Sequence, residues 1–257
     1  MTVPSQLDDV FSASLTGRRA LVTGGSRGIG AGIVRRLAAD GAAVAFTYRE
    51  GKGAAESLEQ EITSSGGHAW AVQADSADPA AVRAAVKGAV ERFGGLEVLV
   101  NNAGVSHMAP VEEFPLDEFD RLVDVNVRAI FVAVQAALPH LGAGGRIISI
   151  GSVLADRAPV TGVSVYSLTK AAVAGLSRSL ARELGPRGIT VNTVQPGPVE
   201  TDLNPDSGEF ADAIRAMTAV GRYAQPRDIA DAVAFLARAE AGFVTGASWN
   251  VDGGYAL

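Results

Sequence analysis

The chain has 257 residues, 47% of them hydrophobic and 19% charged, and a formal net charge of −6. That balance describes a globular chain with a sizeable core, and the acidic excess argues against nucleic acid or an anionic membrane surface as main partner. There is no cysteine, which excludes disulfides and thiolate chemistry, and His68, His107 and His140 stand far apart without ligand spacing, so no metal site is expected. Met1 to Thr16 has neither a basic start nor an apolar core, and no apolar run is long enough to span a bilayer, so a cytoplasmic protein is expected.

In chain order, residues 1–16 read as a lead-in. Arg19 to Thr23 is a short apolar run of the kind a buried parallel strand shows. It runs into Thr23-Gly24-Gly25-Ser26-Arg27-Gly28-Ile29-Gly30. A helix follows, marked by Ile29, Ile33 and Leu37 and stopped by Gly41. A strand, a glycine loop and a helix in succession form the context in which such a loop holds a dinucleotide. The glycines let the backbone approach the pyrophosphate, which rests on the helix N-terminus.

Ala42 to Thr47, Ala69 to Gln73, Leu96 to Val100, Arg146 to Ile150, Ile189 to Val194 and Ala247 to Val251 read as further strands. Helices marked by Ala54/Leu58/Ile62 and Val82/Val86/Val90 lie between the first of them. A long helix is expected over Asp117 to Leu141, another from Tyr166 to about Leu184, and a last one over 226–238. Residues 202–218 read as a mobile lid-like insertion. Strands and helices alternate without a linker, which predicts one α/β domain over 1–257: a doubly wound, seven-stranded parallel sheet of Rossmann type with helices on both faces.

The strongest chemical signal is Tyr166-Ser167-Leu168-Thr169-Lys170. Positions i and i+4 share a helix face, so Lys170 can sit beside Tyr166. Its charge is expected to lower the tyrosine pKa and make the phenol a proton donor and acceptor. With only four tyrosines and three lysines in the chain, the pairing is not common by chance.

These features together resemble the short-chain dehydrogenase/reductase family. The matches are TGGSRGIG at 23–30, Asp75, NNAG at 101–104, Asn126, Ser152, Tyr166, Lys170 and PGPVET at 196–201. The ending Val244-Thr245-Gly246 to Asp252-Gly253-Gly254 is similar to the branch of the 3-oxoacyl-carrier-protein reductases. The resemblance implies Tyr166 as proton donor and Ser152 as hydrogen-bond donor to the same oxygen. It implies Lys170 on the nicotinamide ribose and Asn126 supporting a water toward Lys170. Ser149 and Ser164 are rival serines; Ser152 best fits the position just past the fifth strand.

The cofactor would meet Gly24, Ser26, Arg27, Gly28, Ile29 and Gly30 in the glycine loop. Further on it would meet Asp75 and Ser76, then Asn102, Ala103 and Gly104, then Pro196, Gly197, Val199 and Thr201, besides Tyr166 and Lys170. Asp75 has a second reading as cap of the helix near Pro79.

NADP(H) is expected over NAD(H). Tyr48 and Arg49 stand where an NAD-preferring site places an acid, and Arg27 approaches the same phosphate. Glu50 lies near the same distance and is expected to point into solvent. The implied activity is reduction of a ketone or 3-oxoacyl thioester; a nucleotide-sensing protein on the same fold is the alternative. The resemblance, together with the small residues Ala171, Ala172, Ala174 and Gly175 on the Tyr166 helix, implies a homotetramer.

Overall fold

A computed structural model describes residues 15–202 and 204–257. Residues 1–14 of the expected lead-in lie outside the described residues. Leu15 is buried, and its N–H donates to the Asp40 carbonyl at 2.8 Å.

Seven strands form one sheet: β1 (Arg19–Val22), β2 (Ala43–Tyr48), β3 (His68–Gln73), β4 (Val98–Asn101), β5 (Arg146–Ile150), β6 (Thr190–Pro196) and β7 (Ser248–Val251). Their order is β3-β2-β1-β4-β5-β6-β7, and every pairing is parallel. The sheet is the doubly wound one expected. Helices cover both faces of its central strands, so β5 and β6 are buried at every position, the polar Ser149, Asn192, Thr193 and Gln195 included.

One layer holds α1 (Gly28–Ala39) and α8 (Pro226–Ala237), packed against each other over Ile33, Val34, Leu37, Ile229 and Val233. The other holds α3 (Pro79–Phe93), the helix pair α4 (Leu116–Val123) and α5 (Ala129–Ala137), and α6 (Ser164–Leu184). The first helix after β2, α2 (Lys52–Ser64), lies at the β3 edge of the sheet. Burying each large aliphatic side chain of these cores contributes about 1.5–3 kcal/mol.

The expected long helix differs in two ways. Asp124–Arg128 forms a single π-helical turn between α4 and α5, and regular helix ends at Ala137 rather than Leu141. The early end has a local cause. Leu138 is still helical and donates to the Val134 carbonyl, but Pro139 offers no N–H to continue the ladder. The helix near Pro79 is capped by Asp78, whose side chain accepts from the Ala80 N–H at 2.8 Å. Asp75 is therefore not that cap; it accepts from Ala77 N–H at 2.9 Å in the preceding turn.

Residues 202–218 contain α7 (Glu209–Met217), whose Ala211 and Ile214 pack on Val153, Tyr223 and Tyr255 as a small separate cluster. The order reverses between β1 and β4, which feed helices to opposite layers. Their C-terminal ends therefore open a crevice, the place where such sheets bind ligands.

Candidate active site

The crevice is stitched by Thr23. Its hydroxyl accepts from the N–H groups of Asn102 and Ala103, each at 3.0 Å. Asn102 Nδ2 donates to the carbonyls of Thr23 and Gly24 at 3.0 and 2.9 Å. Thr47 Oγ1 accepts from the Gly24 N–H at 3.0 Å. The glycine loop and NNAG are thus one unit. Thr23 and Thr47 were not singled out from sequence; a hydroxyl at a strand end beside a glycine is the signal that finds them.

A Cβ on Gly30 would lie 2.2 Å from the Gly24 carbonyl oxygen and 2.6 Å from Asn102 Nδ2. Gly28 has φ +52°, and a Cβ there would meet Thr201 Cγ2 at 3.2 Å, so PGPVET reaches the same loop. Ser26 and Ile29 sit in this loop and at the start of α1. Arg27 precedes α1 without a side-chain cap, and no acidic residue occupies the first turn. Uncapped N–H groups at the end of a helix that follows a narrow glycine cradle fit the pyrophosphate of a dinucleotide.

Ser76 borders an enclosed gap shared with Thr23, Asn101 and Ala103. On the other side, Pro196 ends β6 and Gly197 packs against Asp252. The Val199 carbonyl accepts from Asn204 Nδ2 at 3.0 Å, and among the described residues its N–H has no acceptor. Tyr48 is only 8% exposed and packs in the core beneath α1. Arg49 stands on the rim and pairs with Glu50 at 3.0 Å, so Glu50 is solvent-exposed as expected but is held by its neighbour.

Ser152 follows β5 directly and is buried, and its Oγ accepts from the Leu154 N–H at 3.2 Å. It stands close enough to the Tyr166 hydroxyl to pull the phenol pKa down. Of the rival serines, Ser149 lies inside β5 bonded to Asn101 Nδ2 at 3.4 Å, and Ser164 begins α6 on the surface. Lys170, also buried, lies with Nζ 5.6 Å from the Tyr166 ring centroid and donates to the Ile150 carbonyl at 2.9 Å. Asn126 sits in the π turn, fully buried, bonded to both backbone groups of Val105 at 2.9 Å and to Thr169 at 3.1 Å.

The expectation that Lys170 lowers the tyrosine pKa is corrected. Burial pushes Tyr166 up to about 12, and only the Ser152 hydrogen bond pulls it the other way. Tyr166 keeps some solvent-accessible surface, yet protein packs densely enough around it for desolvation to win. Lys170 is itself drawn down to about 8 by burial, with its hydrogen bond turned to Ile150.

Among the described residues, no three His, Cys, Asp or Glu side chains converge as a metal site, and no helix is long and apolar enough to cross a membrane.

The sequence profile described as Enoyl-(Acyl carrier protein) reductase matches residues 24–256. The chain is 46% identical over 242 residues to the Cyclic-di-GMP-binding biofilm dispersal mediator protein of Escherichia coli (strain K12), covering 94% of this chain and 98% of the relative. It is 40% identical over 240 residues to the 3-oxoacyl-acyl-carrier-protein reductase FabG of Staphylococcus aureus, covering 92% and 97%. Its fold matches a short chain dehydrogenase from Burkholderia cenocepacia J2315, solved in complex with NADP, with TM-score 0.93 and 51% identity, covering 95% and 100%. A profile that spans the chain from the glycine loop to the last strand, and relatives this similar over nearly their whole length, agree with the Ser152/Tyr166/Lys170 geometry: the chain belongs to the short-chain dehydrogenase/reductase family.

Proposed function

We propose that the protein is an NADP(H)-dependent oxidoreductase that reduces a ketone or 3-oxoacyl thioester to the hydroxy compound. The observation that carries this reading is the grouping of buried Ser152 and buried Lys170 around Tyr166, with Lys170 Nζ 5.6 Å from the ring centroid. A protein that only binds a nucleotide has no use for such a relay.

Bound NADPH supplies the hydride. The glycine loop, NNAG and PGPVET would hold it, with Arg27 toward the adenine-ribose phosphate and the free Val199 N–H toward the carboxamide. The substrate oxygen lies between the Ser152 and Tyr166 hydroxyls. Tyr166, with its pKa near 12, keeps its proton throughout the neutral range, the state a donor needs for reduction. As charge develops on the substrate oxygen, Ser152 hydrogen-bonds it and Tyr166 delivers the proton. The tyrosinate left behind is favoured by a hydrogen bond from Ser152.

Asp202, Asp206 and Glu209 lie ahead of α7 and at its start, on the segment we read as a lid. Asp206 is paired with Arg215, and the charge of Asp202 and Glu209 favours a small neutral carbonyl over an acidic carrier protein. Arg128, an exposed cation on the opposite reading, is already paired with Asp124; Arg182 is exposed on the last turn of α6.

We place the single domain in the cytoplasm as a homotetramer. Phe131 and Leu168 are each 51% exposed, and a Cβ on Gly175 would meet nothing within 4 Å, so this face of α5 and α6 is not filled from within the subunit. Ala174 does not belong to that surface, being buried in the core.

One observation favours a second reading, a nucleotide-sensing protein: the name of the Escherichia coli relative. A panel of ketones and 3-oxoacyl thioesters with NADPH, followed by the absorbance of the reduced nicotinamide, separates the two. Turnover supports the reductase. Inertness toward every carbonyl with retained nucleotide binding supports the sensor.

A further inference from the structure

Within Tyr166–Lys170, Thr169 is fully buried, yet neither the proton relay nor the cofactor cradle uses it. Its hydroxyl donates to the Tyr166 carbonyl at 2.7 Å. The oxygen's lone pair is thereby left for Asn126 Nδ2, which donates to it at 3.1 Å.

Asn126 uses its other amide proton on the Val105 carbonyl, and its Oδ1 accepts from the Val105 N–H, each at 2.9 Å. The amide orientation is fixed by this pattern, because flipping it would set NH₂ against the Val105 N–H. Both amide protons are committed, and one of them depends on Thr169 alone. The consequence reaches the reacting groups. A Cβ on Gly104 would lie 3.5 Å from both Asn126 Oδ1 and Lys170 Nζ, so the oxygen that this network aims borders the same gap as the lysine ammonium.

We propose that Thr169 is a positioning residue. Its hydroxyl pins Asn126, and with it the π turn and the Gly104–Val105 loop, to the helix that carries Tyr166 and Lys170. It touches neither the reacting hydroxyl nor the cofactor cradle and acts through Asn126. The catalytic consequence rests on the reductase reading; the pinning itself does not.

Thr169→Val keeps the shape and removes the hydroxyl, leaving a buried amide proton of Asn126 unpaired. Thr169→Ala does the same without placing a methyl against the amide, and Thr169→Ser restores the hydroxyl. Ser167→Ala is the control: the Ser167 hydroxyl is buried without a partner, so its loss breaks nothing.

The test measures kcat, substrate KM and the pH profile of kcat for the four variants, and amide exchange at Val105 and across 124–128. In Thr169→Val and Thr169→Ala, kcat is expected to fall about ten- to a hundred-fold. KM stays within about twofold, the alkaline limb of the profile shifts with the altered surroundings of Lys170, and exchange at Val105 quickens. Thr169→Ser and Ser167→Ala stay close to wild type in every readout. Wild-type kcat, pH profile and exchange in both Thr169→Val and Thr169→Ala would overturn the proposal, as would failure of Thr169→Ser to rescue. If the wild type reduces no carbonyl at all, the reductase reading falls, and exchange alone decides: faster exchange at Val105 without the hydroxyl upholds the pinning, and unchanged exchange refutes it.

Discussion

Lys170 reaches within 5.6 Å of the Tyr166 ring centroid but gives its hydrogen bond to the Ile150 carbonyl, 2.9 Å away. A buried cation held by a backbone dipole, with no carboxylate against it among the described residues, is destabilising to the fold. In the proposed mechanism that cost is accepted for a charge beside the tyrosine.

The folded-state pKa of Lys170, about 8, lies below its ordinary 10.5. The unfolded chain therefore binds that proton more tightly than the folded one. The cost is full below about pH 8 and fades as pH rises toward 10.5. Lys170→Met is expected to stabilise the cofactor-free protein by roughly 2–3 kcal/mol at neutral pH while destroying activity. Paired thermal melts check this. The difference between the two proteins should shrink between pH 8 and 10.5, and a Met variant that melts earlier at neutral pH contradicts it.

Gly30→Ala drives a Cβ to 2.2 Å from the Gly24 carbonyl. Overpacking of that kind costs about 1–3 kcal/mol, and here it also displaces the backbone meant for the pyrophosphate. NADPH affinity should drop at least ~tenfold. Gly53→Ala, at the start of α2 with nothing within 4 Å of its Cβ position, should leave both stability and affinity near wild type. Calorimetric titration of the two variants decides it.

Arg27 is the residue we propose to carry the preference for NADPH over NADH. A guanidinium on a phosphate contributes about 1.5–3 kcal/mol, so Arg27→Ala should weaken NADPH about ten- to a hundred-fold and leave NADH nearly unchanged. Because Arg49 is paired with Glu50 at 3.0 Å, Glu50→Ala should free it and tighten NADPH binding. Equal dissociation constants for the two cofactors in the wild type would refute the preference. Tyr48→Asp is a poorer probe, since Tyr48 is buried in the core and its loss also disturbs packing.

The exposed face of Phe131, Leu168 and Gly175 should be covered by other copies of the chain. Sedimentation at micromolar concentration is expected to give a tetramer. Leu168→Asp should lower the oligomeric state. A wild type that sediments as a 26.3 kDa monomer contradicts this.

What was legible in the sequence was whatever repeats or concentrates. The apolar runs of β1 and β5 announce buried parallel strands, and the i, i+4 spacing brings Tyr166 and Lys170 together as expected. The π turn was hidden, because one extra residue between Asp124 and Arg128 leaves the apolar spacing intact on both sides. Asn126 is legible only through the family resemblance. Two of its bonds go to the Val105 backbone, and backbone groups leave no mark in a sequence. The direction of the Tyr166 shift was misjudged for a similar reason. A lysine four residues away can be counted, whereas the desolvation that outweighs it arises from chain segments brought together only by folding.

Tyr166→Phe tests the central claim most directly, because it removes one hydroxyl and keeps the ring. NADPH oxidation with a carbonyl that the wild type reduces, and the NADPH dissociation constant, are measured on both proteins. The expected result is loss of turnover by at least ~10³-fold, the scale of a missing proton donor and its hydrogen bond, with NADPH affinity within about threefold of wild type. Turnover at the wild-type rate in Tyr166→Phe would contradict the account.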